Sequence, residues 1–149
     1  KATFFHGTVK QNLRLAHPGA SDDDLARACE EAGLFDYADA LPDGLDTRLN
    51  NQFQKQMPDG LKQRLILARA YVKNAPIYLL DEPGNNLDQQ GDQRLIRQLT
   101  QMRHRATIIM VTHRPSHMRL ADRVIFLQDG SVVHDGKPDQ VLPLILDAA

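Results

Sequence analysis

The chain has 149 residues, enough for one domain with a sizeable hydrophobic core. Its 18 Lys and Arg residues are balanced by 19 Asp and Glu residues, which excludes the basic surplus typical of nucleic-acid-binding proteins. We expect no membrane span and no signal peptide within these residues, because no apolar run approaches ~18 residues. The single Cys29 lies in a helical pattern, which favours a small buried side chain over a reactive thiol. Together with the composition, it indicates a reducing cytosolic setting.

The first half of the chain is predicted to be helical. The polar, amide-rich stretch 50–56 has no clear period and is predicted to be a loop. Ser21 offers an N-cap, and the acidic residues 22–24 favour the first turn of a helix over a metal site, because consecutive helical side chains diverge. The predicted helices span 8–16, the segment between Ser21 and Gly33, 34–41, and about 61–73.

The second half is predicted to alternate strands and helices. Residues 77–80 and 107–111 are short apolar runs of the kind that forms buried parallel strands. An Asp-Gly turn at 128–130 predicts a β-hairpin between 124–127 and 131–133. Helices are predicted at 89–103, in a short segment that begins near Pro115, and at 141–146.

Polar side chains follow both predicted parallel strands. Asp81 and Glu82 come directly after the first strand, and His113 comes shortly after the second. We expect them to share one crevice, because ligand sites of open α/β sheets lie beyond the carboxyl ends of the strands. Adjacent acids there suit a magnesium nucleotide, with Asp81 as metal ligand and Glu82 as the group that orients or deprotonates water. A lone histidine is often structural, and this alternative stays open for His113.

These residues lie in motifs that resemble those of ABC-type ATPases. Leu-Leu-Asp-Glu-Pro at 79–83 resembles the Walker B motif with its catalytic glutamate, and Asn-Leu-Asp at 86–88 resembles the D-loop. Val-Thr-His at 111–113 resembles the H-loop with its switch histidine, and 60–70 resembles the helix after the ABC signature. Residues 4–13 resemble the segment after the Q-loop in exporter-type members. The resemblance covers nearly the whole chain in the family's order.

The resemblance implies an α/β fold of the P-loop NTPase type. Residues 1–73 would form the post-Q-loop segment and the helical subdomain, and 74–149 the second half of the RecA-like core. The family's phosphate-binding loop, G-x-x-x-x-G-K-[ST], does not occur in these residues, and the Q-loop glutamine would precede Lys1. We therefore expect the C-terminal portion of a nucleotide-binding domain.

The resemblance also implies roles for single residues. Asp81 would order Mg²⁺, Glu82 would polarise the attacking water, and His113 would contact the γ-phosphate of ATP. Asp88 would line the interface between two nucleotide-binding domains, cap the helix that begins at Gln89, or do both. The other five histidines have no comparable context.

The match weakens at the ABC signature. The family's Leu-Ser-Gly-Gly-Gln is replaced by Met-Pro-Asp-Gly-Leu at 57–61, so the residues expected to face the nucleotide of the opposite subunit are Pro58, Asp59 and Gly60. Pro58 has neither a hydroxyl nor an N–H group, and Asp59 adds a negative charge. Three explanations remain open: a heterodimer with one weakened site, a homodimer with slow turnover, or an outward-turned Asp59 that leaves the contact to Gly60.

Two smaller departures lie in the loop after Glu82. Gly84 stands where the family usually has threonine, and Asn85 stands where it often has serine. On the helix after the signature, Arg64 and Arg69 could form surface salt bridges or play a structural part, and both interpretations stay open.

The sequence thus predicts the ATP-binding and hydrolysing portion of an ABC exporter, nearest to type I secretion or lipid and peptide export ATPases. The implied cofactors are ATP and Mg²⁺. The implied partners are a second nucleotide-binding domain and a transmembrane domain, with no nucleic acid, at the cytoplasmic face of the inner (plasma) membrane. Two alternatives remain: a soluble ABC ATPase of DNA repair or translation, and a regulatory half that acts as a nucleotide sensor or docking module.

Overall fold

The computed structural model describes residues 3–146, in which a helical part precedes an α/β part. The helices are α1 (Val9–Arg14), α2 (Asp22–Ala32), α3 (Asn51–Gln56), α4 (Asp59–Val72), α5 (Gln89–Met102), α6 (Pro115–Met118) and α7 (Pro138–Leu146), with 3-10 helices at Leu34–Ala40 and Gly44–Asp46. The strands are β1 (Ile77–Asp81), β2 (Thr107–Val111), β3 (Val124–Gln128) and β4 (Ser131–Gly136). None of the helices within 3–146 has the length and hydrophobicity needed to cross a bilayer.

Local capping residues set the ends of α2, as predicted. The Ser21 hydroxyl accepts a hydrogen bond from the Asp24 backbone N–H, and the Asp24 carboxylate accepts one from the Ser21 backbone N–H. Bonds from Ser21 to the carboxylate lower the pKa of Asp24. Gly33 ends the helix with a φ of 71°, a left-handed conformation that glycine adopts without a steric penalty. Asp24 therefore belongs to the helix cap, whereas Asp22 pairs with Lys10 and Arg14.

The hydrophobic core lies where α2 and α1 pack against α4. Cys29 is fully buried in this core, and burial raises the pKa of its thiol to about 12, which confirms the prediction of an inert hydrophobic side chain. The largest fully buried apolar side chains of the core are Leu13, Leu25, Leu34, Leu49, Leu61, Leu65, Tyr71, Leu95 and Met102.

The prediction of a loop at 50–56 is wrong, because Asn51–Gln56 forms α3. The Asn50 side chain caps this helix by accepting a hydrogen bond from the Phe53 backbone N–H at 2.8 Å. Phe53 also packs on the core. A helix of six residues is unstable by itself, so the cap and this tertiary contact determine its formation. The final helix begins at Pro138, three residues earlier than predicted.

Strands β1 and β2 pair in parallel, as predicted, in a register from Ile77↔Thr107 to Asp81↔Val111. The apolar run predicts a buried strand, whereas within residues 3–146 burial alternates between the two faces. Tyr78 and Leu80 face the core, whereas Leu79 on the other face is 74% exposed. Helices of the described chain cover one face of this pair only, so burial alternates along the strand. The predicted hairpin is confirmed as β3 and β4.

Candidate nucleotide site

Three of the predicted site residues lie at the carboxyl edge of β1 and β2. Asp81 ends β1, and the Glu82 backbone N–H donates a hydrogen bond to the Val111 carbonyl at the end of β2, at 2.9 Å. This bond brings the chain after β1 towards the chain after β2. Glu82 Oε1 then lies 2.8 Å from His113 Nδ1. Glu82 has a φ of 45°, an uncommon conformation for a residue with a Cβ that is found more often at functional sites.

The contact between Glu82 and His113 determines which ring nitrogen carries the proton. An ionised carboxylate can only accept, so Nδ1 of His113 is the donor, and Nε2 is left for another partner. The His113 side chain is 73% exposed and therefore accessible. The second carboxylate oxygen, Glu82 Oε2, is buried and has no hydrogen-bond partner among residues 3–146. Such an oxygen is rare in folded proteins and calls for a physical explanation.

Asp88 caps α5, as predicted. Its Oδ1 accepts a hydrogen bond from the Gly91 backbone N–H at 2.7 Å and a second one from Nη2 of Arg64 at 2.9 Å. The loop between Glu82 and Asp88 is closed by backbone hydrogen bonds, and Asn86 in this loop has a φ of 60°. The D-loop-like segment is therefore a tight turn held at both ends.

The start of α4 contacts this loop. A Cβ at Gly60 would lie 2.5 Å from the Tyr37 hydroxyl oxygen and 3.2 Å from the Asn86 carbonyl oxygen, so a larger residue would require both neighbours to shift. Pro58 occupies the N-cap position and provides no side-chain hydrogen bond. Asp59 is exposed, and its carboxylate pairs with Lys62 Nζ at 2.9 Å.

Arg64 is a structural residue that the sequence left undecided. It is 1% exposed, and its guanidinium donates hydrogen bonds to the Gly33 carbonyl at 3.1 Å and to Asp36 and Asp88 at 2.9 Å each. It also lies 5.1 Å from the centre of the Tyr37 ring. A surface salt bridge is therefore the wrong interpretation for Arg64. The sequence feature that could have predicted its burial is its position on the same face of α4 as Leu61, Leu65 and Ala68.

Arg69 differs from Arg64 in burial. It is only partly buried, donates a long hydrogen bond of 3.4 Å to the Thr3 carbonyl and lies over the Phe4 ring. It therefore holds the N-terminal segment against α4.

His117 is a second residue that the sequence analysis missed. It is fully buried, and its Nε2 lies 2.8 Å from Asp92 Oδ1. Nη1 of Arg114 donates to the same oxygen at 3.1 Å. The side chain of His117, four residues after His113, is thus titratable and has no solvent exposure.

No group of three or more His, Cys, Asp or Glu side chains converges as a metal site within residues 3–146. Asp81 and Glu82 are the two adjacent carboxylates at this strand edge. This arrangement fits Mg²⁺, which keeps several waters and takes one or two carboxylates together with phosphate oxygens of the substrate. It does not fit a metal held by protein ligands alone.

Comparisons with known proteins agree with the fold and the motif order. Residues 1–85 match the family model described as "ABC transporter". The structure superposes on a bacterial Atm1-family ABC exporter with ATP bound, with a TM-score of 0.85, 29% identity, and coverage of 97% of this chain and 25% of that one. The fold is thus part of the P-loop NTPase domain that ABC exporters contain. The chain belongs to the ABC transporter family.

Curated relatives are considerably longer than this chain. The mycobactin import ATP-binding/permease protein IrtB of Mycobacterium tuberculosis is 38% identical over 138 residues, which are 93% of this chain and 24% of that protein. The beta-(1-->2)glucan export ATP-binding/permease protein NdvA of Rhizobium etli is 36% identical over 140 residues, 94% of this chain and 24% of that protein. The chain therefore spans about a quarter of the length of these relatives.

Proposed function

We propose that the chain is part of the ATP-hydrolysing domain of an ABC exporter. The observation that carries the proposal is the 2.8 Å contact between Glu82 and His113, directly after Asp81, at the carboxyl edge of a parallel strand pair. This edge is where α/β proteins bind ligands. An acid for Mg²⁺, a second acid for the attacking water and a histidine for the γ-phosphate are part of the set of groups that hydrolyses a magnesium nucleotide.

Each of these side chains has a distinct part in the proposed reaction. Asp81 would hold Mg²⁺, which neutralises charge on the phosphates as the bond to the leaving oxygen breaks. Glu82 would orient the water that attacks the γ-phosphorus and take up its proton. His113 would present the nitrogen that does not face Glu82, Nε2, to the γ-phosphate, and because Nδ1 already donates to Glu82, Nε2 donates to a phosphate oxygen only in the doubly protonated imidazolium form.

The unpartnered Glu82 Oε2 supports this assignment. A buried acceptor without a donor costs free energy, and a water molecule at this position would supply the missing donor. Oε1 is already in contact with His113, so Oε2 is the carboxylate oxygen that would contact the attacking water once the buried site opens around it. The histidine would thus hold the carboxylate in the orientation that the reaction needs.

Pro58, Asp59, Gly60 and Asp88 would face the nucleotide and D-loop of a second domain. The exposed pairing of Asp59 with Lys62 supports the explanation in which this carboxylate turns aside and offsets its charge. Gly60 would then provide the close backbone approach. Gly60 packs against Asn86, so the start of α4 contacts the D-loop-like turn. Closure of a dimer would therefore affect both segments.

The names of the relatives support the wider proposal. They are ATP-binding/permease proteins, so we infer a transmembrane domain as partner, a second nucleotide-binding domain as dimer partner, and a place at the cytoplasmic face of the membrane. Residues 1–73 would supply the helical subdomain and 74–149 the core. The export direction is supported by the glucan exporter and the Atm1-family neighbour, whereas IrtB is named as an importer. The type I secretion assignment rests on residues 4–13.

The test is Glu82→Gln in the full-length protein. Glutamine keeps the shape of the side chain and cannot take up the proton, so we expect kcat for ATP to fall by about 10²–10⁴-fold while ATP binding is kept. Glu30→Gln, at an exposed position on α2, is the matched control and should retain activity. Normal hydrolysis by the Glu82 variant would contradict the assignment.

A second candidate function follows from the signature. Because Pro58 offers no donor and Asp59 is negatively charged, the chain could serve as a nucleotide sensor or docking module that binds without turnover. Wild-type protein that binds ATP and never hydrolyses it, alone or with a partner half, would favour this candidate over the first.

A further inference from the structure

Gly84 is required by space and not by backbone conformation. It does not adopt a positive φ, unlike Gly33, Gly44 and Gly130. A Cβ added at Gly84 would lie 2.4 Å from Cε1 of His117 and 3.0 Å from Asp92 Oδ1. Real Cβ atoms do not come that close to other atoms, so a side chain at position 84 and the native ring of His117 exclude each other.

The His117 ring is held by a single hydrogen bond. Asp92 Oδ1 accepts from His117 Nε2 at 2.8 Å and from Nη1 of Arg114 at 3.1 Å. Because the carboxylate accepts, Nε2 carries the ring proton. The other ring nitrogen, Nδ1, is buried and has no partner in the part of the chain described. The bond to Asp92 and the wall formed by Gly84 therefore define where this ring lies.

These residues surround the segment that carries His113. Arg114 follows His113 directly, and its backbone N–H donates to the Thr112 hydroxyl at 3.1 Å. Helix α6 begins after Arg114 and includes His117. Asp92 lies in the first turn of α5, which starts beside the D-loop-like turn. One carboxylate in the first turn of α5, close to Gly84 of the loop after β1, thus bonds to two residues of the segment after β2.

We propose that Asp92 and His117 are positioning residues that fix His113 against Glu82. His117 packs on Gly84 and bonds to Asp92, Asp92 holds Arg114, and Arg114 sets the course of the chain at His113. This inference rests on the proposed function. It adds a supporting layer to the site and explains why glycine occupies position 84.

The experiment is a double-substitution cycle on ATP hydrolysis by the full-length protein. Gly84→Ala should displace the His117 ring and lower kcat roughly 10-fold to 100-fold, with KM for ATP changed less than about twofold, because small misplacements of catalytic groups mainly affect turnover. In a His117→Ala background, Gly84→Ala should lower kcat less than about twofold, because the imidazole ring that the new Cβ displaces is absent. Gly19→Ala is the control and should retain wild-type kcat, because a Cβ added at Gly19 would lie 4.0 Å from its nearest neighbour, Cε1 of His17.

The outcomes separate the two proposals. A wild-type protein that hydrolyses no ATP overturns the proposed function and this inference with it. If the wild type is active and Gly84→Ala lowers kcat by the same factor with and without His117, the positioning role alone is overturned. The same conclusion follows if Gly84→Ala lowers only the melting temperature and not kcat per folded molecule. If Gly84→Ala yields no folded protein, Asp92→Asn decides: we expect kcat to fall at least about fivefold, and unchanged kcat refutes the proposal.

Discussion

Replacing Arg64 with alanine removes the most connected buried side chain near the site. Its guanidinium donates to the Gly33 carbonyl and to the carboxylates of Asp36 and Asp88. The substitution therefore disconnects α4 from the end of α2 and from the cap of α5 at the same time. We expect a large loss of folding free energy for a single change on one helix.

The magnitude follows from the exposure of each partner. Asp36 and Asp88 have side chains that are 31% and 58% exposed, so water can replace the arginine, and each ion pair contributes about 0.5–1 kcal/mol. The Gly33 carbonyl keeps only a long bond of 3.3 Å from the Asp36 N–H, which adds about 1 kcal/mol. Removing two buried methylenes adds about 1.6 kcal/mol. The expected total is roughly 4 kcal/mol.

The assay is urea unfolding followed by circular dichroism. Arg97→Ala is the matched control, because Arg97 is exposed on α5 and forms no ion pair within residues 3–146, and it should stay within about 0.5 kcal/mol of wild type. Arg64→Lys keeps the charge but loses the two-pronged geometry, so it should recover at most about half of the loss. An Arg64→Ala cost below about 1 kcal/mol, or equal to that of Arg97→Ala, would refute the reasoning.

Three further outcomes are expected. Tyr71→Phe should raise the free energy of unfolding by up to about 1 kcal/mol, because the Tyr71 hydroxyl is buried and has no partner in the described residues; a loss in urea unfolding would contradict this. Cys29, with a thiol pKa of about 12, should react with a disulfide reagent at pH 8 only after unfolding, and rapid labelling of native protein would show otherwise. Ser21→Ala should raise the pKa of Asp24 towards its ordinary value, as measured by an NMR titration. Because the pKa of Asp24 is lower in the folded state, the stability that Asp24 contributes is present above its unfolded pKa and is lost as pH falls through the folded pKa. A loss of folding free energy in Ser21→Ala that does not change with pH would contradict this contribution.

Local sequence was sufficient to predict a structural feature wherever the contact that determines it lies within a few residues along the chain. The cap of α2 at Ser21 and its end at Gly33 depend on neighbours three or four positions away, and so does the cap of α5 at Asp88. The same holds for the Asp-Gly turn of the hairpin. The short helix at Asn51–Gln56 was missed because it has no apolar period and depends on packing of Phe53.

By itself, the sequence determined the order of the strands and of the α-helices other than α3, and the polar residues at the ends of β1 and β2. These follow from period, capping and the length of apolar runs, which are local properties. Only the tertiary structure decided that Arg64 is buried among partners up to 31 residues away, that His117 excludes a side chain at Gly84, and that Leu79 is exposed. The physical reason is that burial and hydrogen-bond partnership depend on which distant elements pack together, and a pattern along the chain does not contain that information.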